Sequence, residues 1–214
     1  MLSLSLSFDQ PHVLKENVIP HREHPEGFPS VTQLVGLIAK PALYYWYGAH
    51  GTEKCEQIKR ESQDIGTAFH KAMSDYLTEN TLPENELARR VVDEWCVKHD
   101  LKPVAIEDAA YVENKTLKYA GTPDFIGYVD DVPCVLDWKS SSQMDKTMAL
   151  QLGLYAWAWN QMKRKPILTK GIVVRVDKKT HKVEVKEYED LMSLRPILKG
   201  LICLYWFLHP PKKK

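Results

Sequence analysis

The stretch that decides the fold is residues 121–139, GTPDFIGYVDDVPCVLDWK. Aromatic and β-branched residues dominate its first half, and its second half is a mostly apolar run, so the pattern predicts β-strands at residues 119–128 and 133–138. Between them, Asp130 and Asp131 are residue types that favour a turn. The stretch therefore predicts a β-hairpin.

Three charged side chains interrupt this hairpin. Asp137 and Lys139 are two residues apart on the second strand and therefore project to the same side. Asp124 begins the first strand, close enough to face them. Buried carboxylates are costly unless they are paired or bound to a cation, and a hard divalent metal would satisfy both while leaving Lys139 free for chemistry. A buried Asp–Lys ion pair with a purely structural role is the alternative.

The length of 214 residues and the hydrophobic content of 44% predict one domain with a real core. We expect residues 1–60 to form an N-terminal annex, residues 61–190 the core, and residues 191–214 a closing helix with a basic tail. We find no run that approaches the roughly 18 apolar residues of a membrane span, and no basic leader before residues 2–8. We therefore expect no membrane partner.

Cysteine usage bears on the compartment. The four cysteines lie far apart without a CxxC pair, so neither a zinc site nor a disulfide framework is expected. This favours a reducing, cytoplasmic or otherwise intracellular location, for a cellular or a viral protein. The cysteines are Cys55, Cys96, Cys134 and Cys203.

Charge is unevenly distributed although the net charge is only +1. Residues 163–214 contain 14 Lys and Arg against 5 Asp and Glu, whereas residues 1–162 contain 15 against 23. This distribution favours a nucleic-acid enzyme, in which the acidic part would hold metals and the basic part would hold phosphates. The alternative is that the basic residues only solvate helices and turns.

Periodicity predicts the other elements. The clearest amphipathic helix is residues 64–80, although Gly66 and Thr67 in its interior suggest a close backbone approach. An aromatic cluster at residues 44–47 could stack on bases or, more commonly, pack into a core. We predict further helices at 30–39, 84–100, 148–162 and 191–208, strands at 2–8, 13–19, 104–112, 171–177 and 182–188, and a polar loop at 140–145.

Several motifs in order resemble one family. Pro123–Asp124 followed by Asp137–Trp138–Lys139 resembles the signature of the PD-(D/E)XK nuclease superfamily. The motif GTAFH, which ends at His70, and the pair Gln151 and Tyr155 resemble the histidine and QxxxY motifs of its RecB-like branch. The motif PSVTQ at residues 29–33 is similar to that of small stand-alone members, which include phage-type exonucleases and the mitochondrial genome maintenance exonuclease. The resemblance covers most of residues 30–176.

This resemblance implies a fold and a set of site residues. The fold is α/β, with a restriction-endonuclease-like PD-(D/E)XK core in which helices flank a mixed central β-sheet, and here with an N-terminal helical or hairpin annex. The implied catalytic residues are Asp124, Asp137 and Lys139, and the implied ligands of Mg²⁺ or Mn²⁺ are His70, Asp124, Asp137 and the Trp138 carbonyl. We predict DNA contacts by Gln151, Tyr155, Thr67 and Ser140, with Glu61 and Glu113 as weaker candidates for contacts to metal-bound water.

The implied activity is metal-dependent hydrolysis of DNA, by an exonuclease that prefers single strands with free ends and leaves 5′-phosphates. The expected partner is single-stranded DNA, with a second copy of the chain or proteins of DNA replication, repair or recombination as further candidates. Two alternatives stay open, a structure-specific or single-strand endonuclease on the same fold and a non-catalytic DNA-binding or scaffold protein. Relatives with an iron–sulfur cluster have three cysteines near the C-terminus, where this chain has only Cys203, so no cluster is predicted.

Overall fold

A computed structural model describes residues 27–38 and 45–210 in full and the backbone of residues 41–44. The predicted strands at residues 2–8 and 13–19 and the basic tail at 212–214 lie outside the described residues. The helices are α1 (Val31–Val35), α2 (Pro41–His50), α3 (Thr52–Glu79), α4 (Glu86–Glu94), α5 (Thr147–Gln161) and α6 (Arg195–Leu208). The strands are β1 (Leu101–Ile106), β2 (Val112–Asn114), β3 (Tyr119–Gly121), β4 (Phe125–Val129), β5 (Val132–Lys139), β6 (Lys170–Val176) and β7 (Val183–Tyr188).

A five-stranded mixed sheet forms the centre of the fold, in the order β1-β4-β5-β6-β7. β5 and β6 are parallel and are joined through α5, whereas the other neighbouring pairs are antiparallel. A parallel connection needs a crossover, and the nearly all-apolar α5 provides it. The predicted hairpins β4–β5 and β6–β7 are both confirmed, as is the α/β fold class.

Helices cover both faces of this sheet, because alternate residues of each strand point to opposite sides. On one face Val135 packs in a core with α1, α5 and α6. On the other, Leu136 and Trp138 pack with α3 and α4, which contribute residues such as Phe69 and Val91. Asp137 and Lys139 belong to the strand face of Val135 and so project toward α5.

Two predicted strands are wrong because each is broken in the structure. The stretch 119–128 forms β3 and β4, which belong to different sheets, with Thr122–Asp124 between them. Pro123 has no N–H to donate to a strand ladder, which favours this break. The stretch 104–112 ends as a strand at Ile106, and a 3₁₀ turn at Glu107–Ala110 separates it from β2.

The helix boundaries also differ from the predictions. α3 begins at Thr52 rather than near residue 64, because its first half is polar and exposed and leaves almost no apolar periodicity to detect. It ends with Asn80 in the left-handed conformation at φ 54°. The predicted helix 84–100 is shorter, since α4 stops at Glu94 and a 3₁₀ turn follows at Cys96–Lys98.

The prediction that no segment has the length and composition of a membrane span is wrong. By length and composition alone, Leu191–Leu208 could cross a membrane, with a mean hydropathy of 1.4 and 22% of the segment buried. It begins with a 3₁₀ turn at Leu191–Leu194 before α6. One side of α6 packs on the domain, where Leu198 is fully buried and Trp206 Nε1 donates a hydrogen bond to the Leu117 carbonyl.

Candidate active site

Strand register brings three carboxylates to one end of the sheet. Ile106 of β1 is opposite Phe125 of β4, and Phe125 is opposite Leu136 of β5. The next residue beyond each of these pairs is acidic, so Glu107, Asp124 and Asp137 follow one another across three adjacent strands. The backbone N–H of Glu107 also donates to the Asp124 carbonyl, at 3.2 Å.

Asp124 is the most connected of the three carboxylates. Its Oδ2 accepts a 2.8 Å hydrogen bond from the Trp138 N–H, which fixes the carboxylate against β5. Its Oδ1 lies 3.1 Å from Nδ1 of His70 on α3. A helix from one face of the sheet and two of its strands thus meet at Asp124.

His70, Glu107 and Asp124 form a cluster of the size that a metal ion requires. One ligand atom from each residue lies within 4.8 Å of the others, and all three side chains are only partly buried. Carboxylate oxygens suit Mg²⁺, while an imidazole nitrogen suits softer first-row ions such as Mn²⁺ and Zn²⁺. The donor set of this cluster fits a divalent cation.

Asp137 and Lys139 form a close pair beside this cluster. Lys139 Nζ lies 2.6 Å from Asp137 Oδ2, and the two side chains are 23% and 4% exposed. The short distance makes an ion pair in which the Lys139 ammonium neutralises the buried Asp137 carboxylate. A buried carboxylate is costly unless it is paired, and for Asp137 the Lys139 ammonium supplies that pairing beside the cluster.

Burial and mutual repulsion perturb the protonation of these groups. Burial raises the pKa of Glu107 to about 7, with a further contribution from the charge of Asp124. Burial also raises the pKa of Asp137 to about 6, against the opposing charge of Lys139. Burial would lower the pKa of His70, but its hydrogen bond to Asp124 and the charges of Asp124 and Asp137 together outweigh burial, so the pKa is raised. Crowded carboxylates of this kind favour cation binding.

A cleft opens beside this cluster, along the exposed face of α3. Its volume is about 810 Å³. Glu107 lines it together with a set of α3 residues. These α3 residues are spaced three and four apart, which places them on one face of the helix. These α3 residues are Gln63, Gly66, Thr67, His70, Lys71, Ser74 and Asp75.

Tyr155 of α5 closes the site on the side opposite α3. It is 4% exposed, and its hydroxyl accepts a 3.2 Å hydrogen bond from Gln151 Nε2. Burial and the charge of Asp137 raise its pKa, so the hydroxyl stays neutral beside the carboxylates. A Cβ on Gly121 would lie 2.7 Å from the Tyr155 ring, so only glycine allows this approach. A buried, packed Tyr155 is placed to brace the site.

The other predicted DNA contacts lie on the cleft side. Thr67 is exposed and lines the cleft. A Cβ on Gly66 would lie 3.7 Å from Ser140 Oγ, which is an ordinary van der Waals contact. The predicted close backbone approach, which would have required glycine at this position, is therefore not found. The two predicted DNA-contact residues Thr67 and Ser140 therefore lie beside the same turn of α3.

The structure brings neither weaker glutamate candidate to the cluster. Glu61 is exposed on α3, where it accepts a hydrogen bond from Gln57. Glu113 lies on β2 and contacts Lys115 and Tyr111. Glu107 occupies the position expected for Glu113, because β1 ends six residues earlier than the predicted strand. Glu107 could have been predicted as a site residue from its position, since it is an acidic residue directly after β1, the strand that pairs with β4.

Sequence comparison decides the family. The model of the PD-(D/E)XK nuclease superfamily matches residues 85–204, which is more than half of the chain and includes both signature segments. The chain belongs to the PD-(D/E)XK nuclease superfamily. The superfamily that was predicted from the motif residues Asp124, Asp137 and Lys139 is therefore confirmed. Comparison with curated protein sequences gives no match.

Two solved structures are similar to this superfamily member. The crystal structure of SSO0001 has a TM-score of 0.42 and 16% sequence identity, over 86% of this chain and 79% of the other. An alkaline exonuclease from Laribacter hongkongensis has a TM-score of 0.46 and 11% identity, over 85% and 87%. PD-(D/E)XK nucleases use divalent metals, and the cluster around Asp124 provides a candidate site for one.

Proposed function

We propose that this PD-(D/E)XK protein is a metal-dependent DNA exonuclease that prefers single strands with free ends and leaves 5′-phosphates. The observation that carries the proposal is the convergence of Glu107, Asp124, Asp137 and His70 at one end of the sheet. Lys139 stands beside them and an open cleft leads to them. A structural ion pair alone would need neither the additional glutamate and histidine nor the cleft.

Each side chain has a proposed role in phosphodiester hydrolysis. Asp124, His70 and Glu107 would hold a divalent metal, together with the Asp137 carboxylate. When bound, such a metal neutralises the scissile phosphate and lowers the pKa of a water molecule. Lys139 stays protonated, since the charges of Asp137 and Asp124 outweigh burial and raise its pKa.

A protonated Lys139 can orient water or stabilise negative charge that grows on a phosphoryl oxygen. Trp138 contributes its N–H, which keeps the Asp124 carboxylate turned toward His70. Mg²⁺ and Mn²⁺ are the proposed ions, and the Trp138 carbonyl is a further proposed ligand.

Removal of divalent metal is expected to stop cleavage. End-labelled single- and double-stranded DNA would be incubated with the protein in Mg²⁺, in Mn²⁺ or in EDTA, and the products separated on a gel. We expect shortening of the DNA with either ion, none in EDTA, and recovery when Mg²⁺ is added in excess. Thermal melting in EDTA serves as the control for the fold. Undiminished activity in EDTA would contradict the proposal.

Cleavage is also expected to require a free end. This part of the proposal rests on the similarity of the sequence motifs to those of small stand-alone exonucleases. One oligonucleotide would be prepared in two forms, linear and ligated into a single-stranded circle, so that only the ends differ. We expect the linear form to be consumed while the circle persists. Efficient cutting of the circle would instead favour the endonuclease.

A further inference from the structure

The turn between β6 and β7 is the most basic short segment near the cleft. Residues 177–182 read DKKTHK, with three lysines and one histidine among six residues. It lies in the basic part of the chain, and the proposed chemistry gives it no role. Two contacts place it beside the active-site cleft.

The first contact joins the turn to α3. Lys178 Nζ donates to the Ser62 carbonyl at 2.8 Å and to Ser62 Oγ at 2.6 Å. Ser62 precedes Gln63, which lines the cleft. The turn therefore stands at the N-terminal end of the cleft face of α3, eight residues before His70.

The second contact joins the base of the turn to the loop after β5. The buried Arg175 of β6 donates from Nη1 to the Ser141 carbonyl, and it also bonds Asp177 and Glu184. The neighbouring Ser140 faces Gly66 of α3. The turn, the β5–α5 loop and α3 are thus held together along one side of the cleft.

The turn has a fixed shape. Asp177 Oδ1 accepts hydrogen bonds from the backbone N–H groups of Lys179 and Thr180, each at 2.9 Å. The His181 N–H bonds the Asp177 carbonyl, also at 2.9 Å. The backbone of the turn is therefore held in place, which fixes the positions from which its side chains extend.

One lysine and the histidine of the turn are paired with glutamates, but the charges of the other two lysines are not neutralised. His181 pairs with Glu86 at 3.1 Å, and Lys182 pairs with Glu184 at 2.9 Å. Lys178 bonds only neutral oxygen atoms of Ser62, and burial lowers its pKa. Within the described part of the chain, Lys179 is exposed and its side chain has no hydrogen bond or ion pair.

We propose that Lys178 and Lys179 form a phosphate-binding subsite for the nucleic-acid strand, a few nucleotides away from the bond that is cleaved. The subsite rests on the proposed function, since it extends the same cleft. Eight helical residues separate Ser62 from His70, or about 12 Å along α3. At roughly 3.4 Å per nucleotide of a stacked strand, this corresponds to about three to four nucleotides.

The test compares Lys179→Ala with Lys199→Ala, an exposed lysine on α6, which packs on the other face of the sheet. Affinity for a labelled 12-nucleotide single strand would be measured by fluorescence anisotropy in EDTA at several salt concentrations. We expect Lys179→Ala to weaken binding and to reduce the slope of log K against log salt by about 0.7, the value for one phosphate contact on a single strand. Lys199→Ala should leave the slope unchanged. An unchanged slope for Lys179→Ala, or an equal change for Lys199→Ala, would overturn the subsite.

A second measurement separates the subsite from the chemistry. Thymidine 5′-(p-nitrophenyl phosphate) is a phosphodiester too short to reach the turn, so Lys179→Ala should hydrolyse it at the wild-type rate. A slower rate would show that the turn acts on the active site and would overturn its assignment as a distant subsite. If the wild-type protein cleaves nothing, the proposed function fails, yet the salt dependence of binding still decides the subsite.

Discussion

Asp124→Asn is expected to remove most divalent-metal binding and to stop cleavage while the fold stays intact. The amide keeps an oxygen that can accept the Trp138 N–H, so the link to β5 survives. It loses the negative charge that faces His70 and the rest of the cluster. Loss of a ligand should exceed the roughly 10–100-fold effect of removing a hydrogen-bonding partner of a ligand. Calorimetric Mn²⁺ titration and a gel assay with linear DNA measure the two effects.

Asp131→Asn is the matched control for this substitution. Asp131 belongs to the same hairpin but lies at its other end, where its side chain is 83% exposed and pairs with Lys102. Its φ of 64° suits Asn as well as Asp. The control should bind Mn²⁺ and cleave DNA like the wild type. Wild-type metal affinity and cleavage in Asp124→Asn would remove Asp124 from the metal site.

The hairpin could be predicted from sequence because local rules and the final structure agree there. Asp130 and Asp131 adopt φ values of 51° and 64°, and positive φ at both central residues is what a type I′ hairpin turn requires. Once that turn is fixed, the two-residue period decides the rest, because it places Asp137 and Lys139 on one face and brings Asp124 opposite them. A charged residue inside an apolar strand was the informative signal.

Glu107 could not be predicted in the same way, because its position depends on where β1 ends. Residues 104–112 keep an extended-looking pattern, yet the chain leaves the sheet at Glu107 with φ 47°. A positive φ at a residue other than glycine is uncommon, and local sequence does not indicate it. The bend places Glu107 beside Asp124 and moves Glu113 into the small sheet with β3.

The surface that lines the cleft could not be predicted, because it is formed by contacts between elements that are distant in sequence. The histidine motif was recognisable, but the structure adds the polar first half of α3 and the anchoring of Lys178 to Ser62. These residues lie more than one hundred positions apart, and neither has a periodic pattern. The sequence therefore predicted the reactive groups better than the surface along which a substrate would approach them.

The buried pair of Asp137 and Lys139 leads to the second large effect. Lys139→Ala is expected to retain or strengthen metal binding, because a positive charge next to the carboxylates is removed. Cleavage should still fall by about 100-fold or more if Lys139 stabilises the transition state. Asp137→Asn should instead lower both metal affinity and cleavage, since it removes a negative charge that acts on the cluster. Mn²⁺ titration and the nuclease assay on both variants distinguish the two roles.

A purely structural ion pair makes a different prediction for Lys139→Ala. Stranding the buried Asp137 charge would destabilise the fold by about 3–5 kcal/mol, and added metal would not reverse the loss. If Asp137 takes part in a metal site, Mn²⁺ should replace the missing positive charge, so a lower melting temperature in EDTA should recover when the ion is added. Lys102→Ala is the control, since this exposed lysine pairs with Asp100 and Asp131 but lies away from the cluster, near the hairpin turn. If Lys139→Ala stays destabilised in saturating Mn²⁺, Asp137 takes no part in a metal site, and if the variant cleaves at the wild-type rate, Lys139 has no catalytic role.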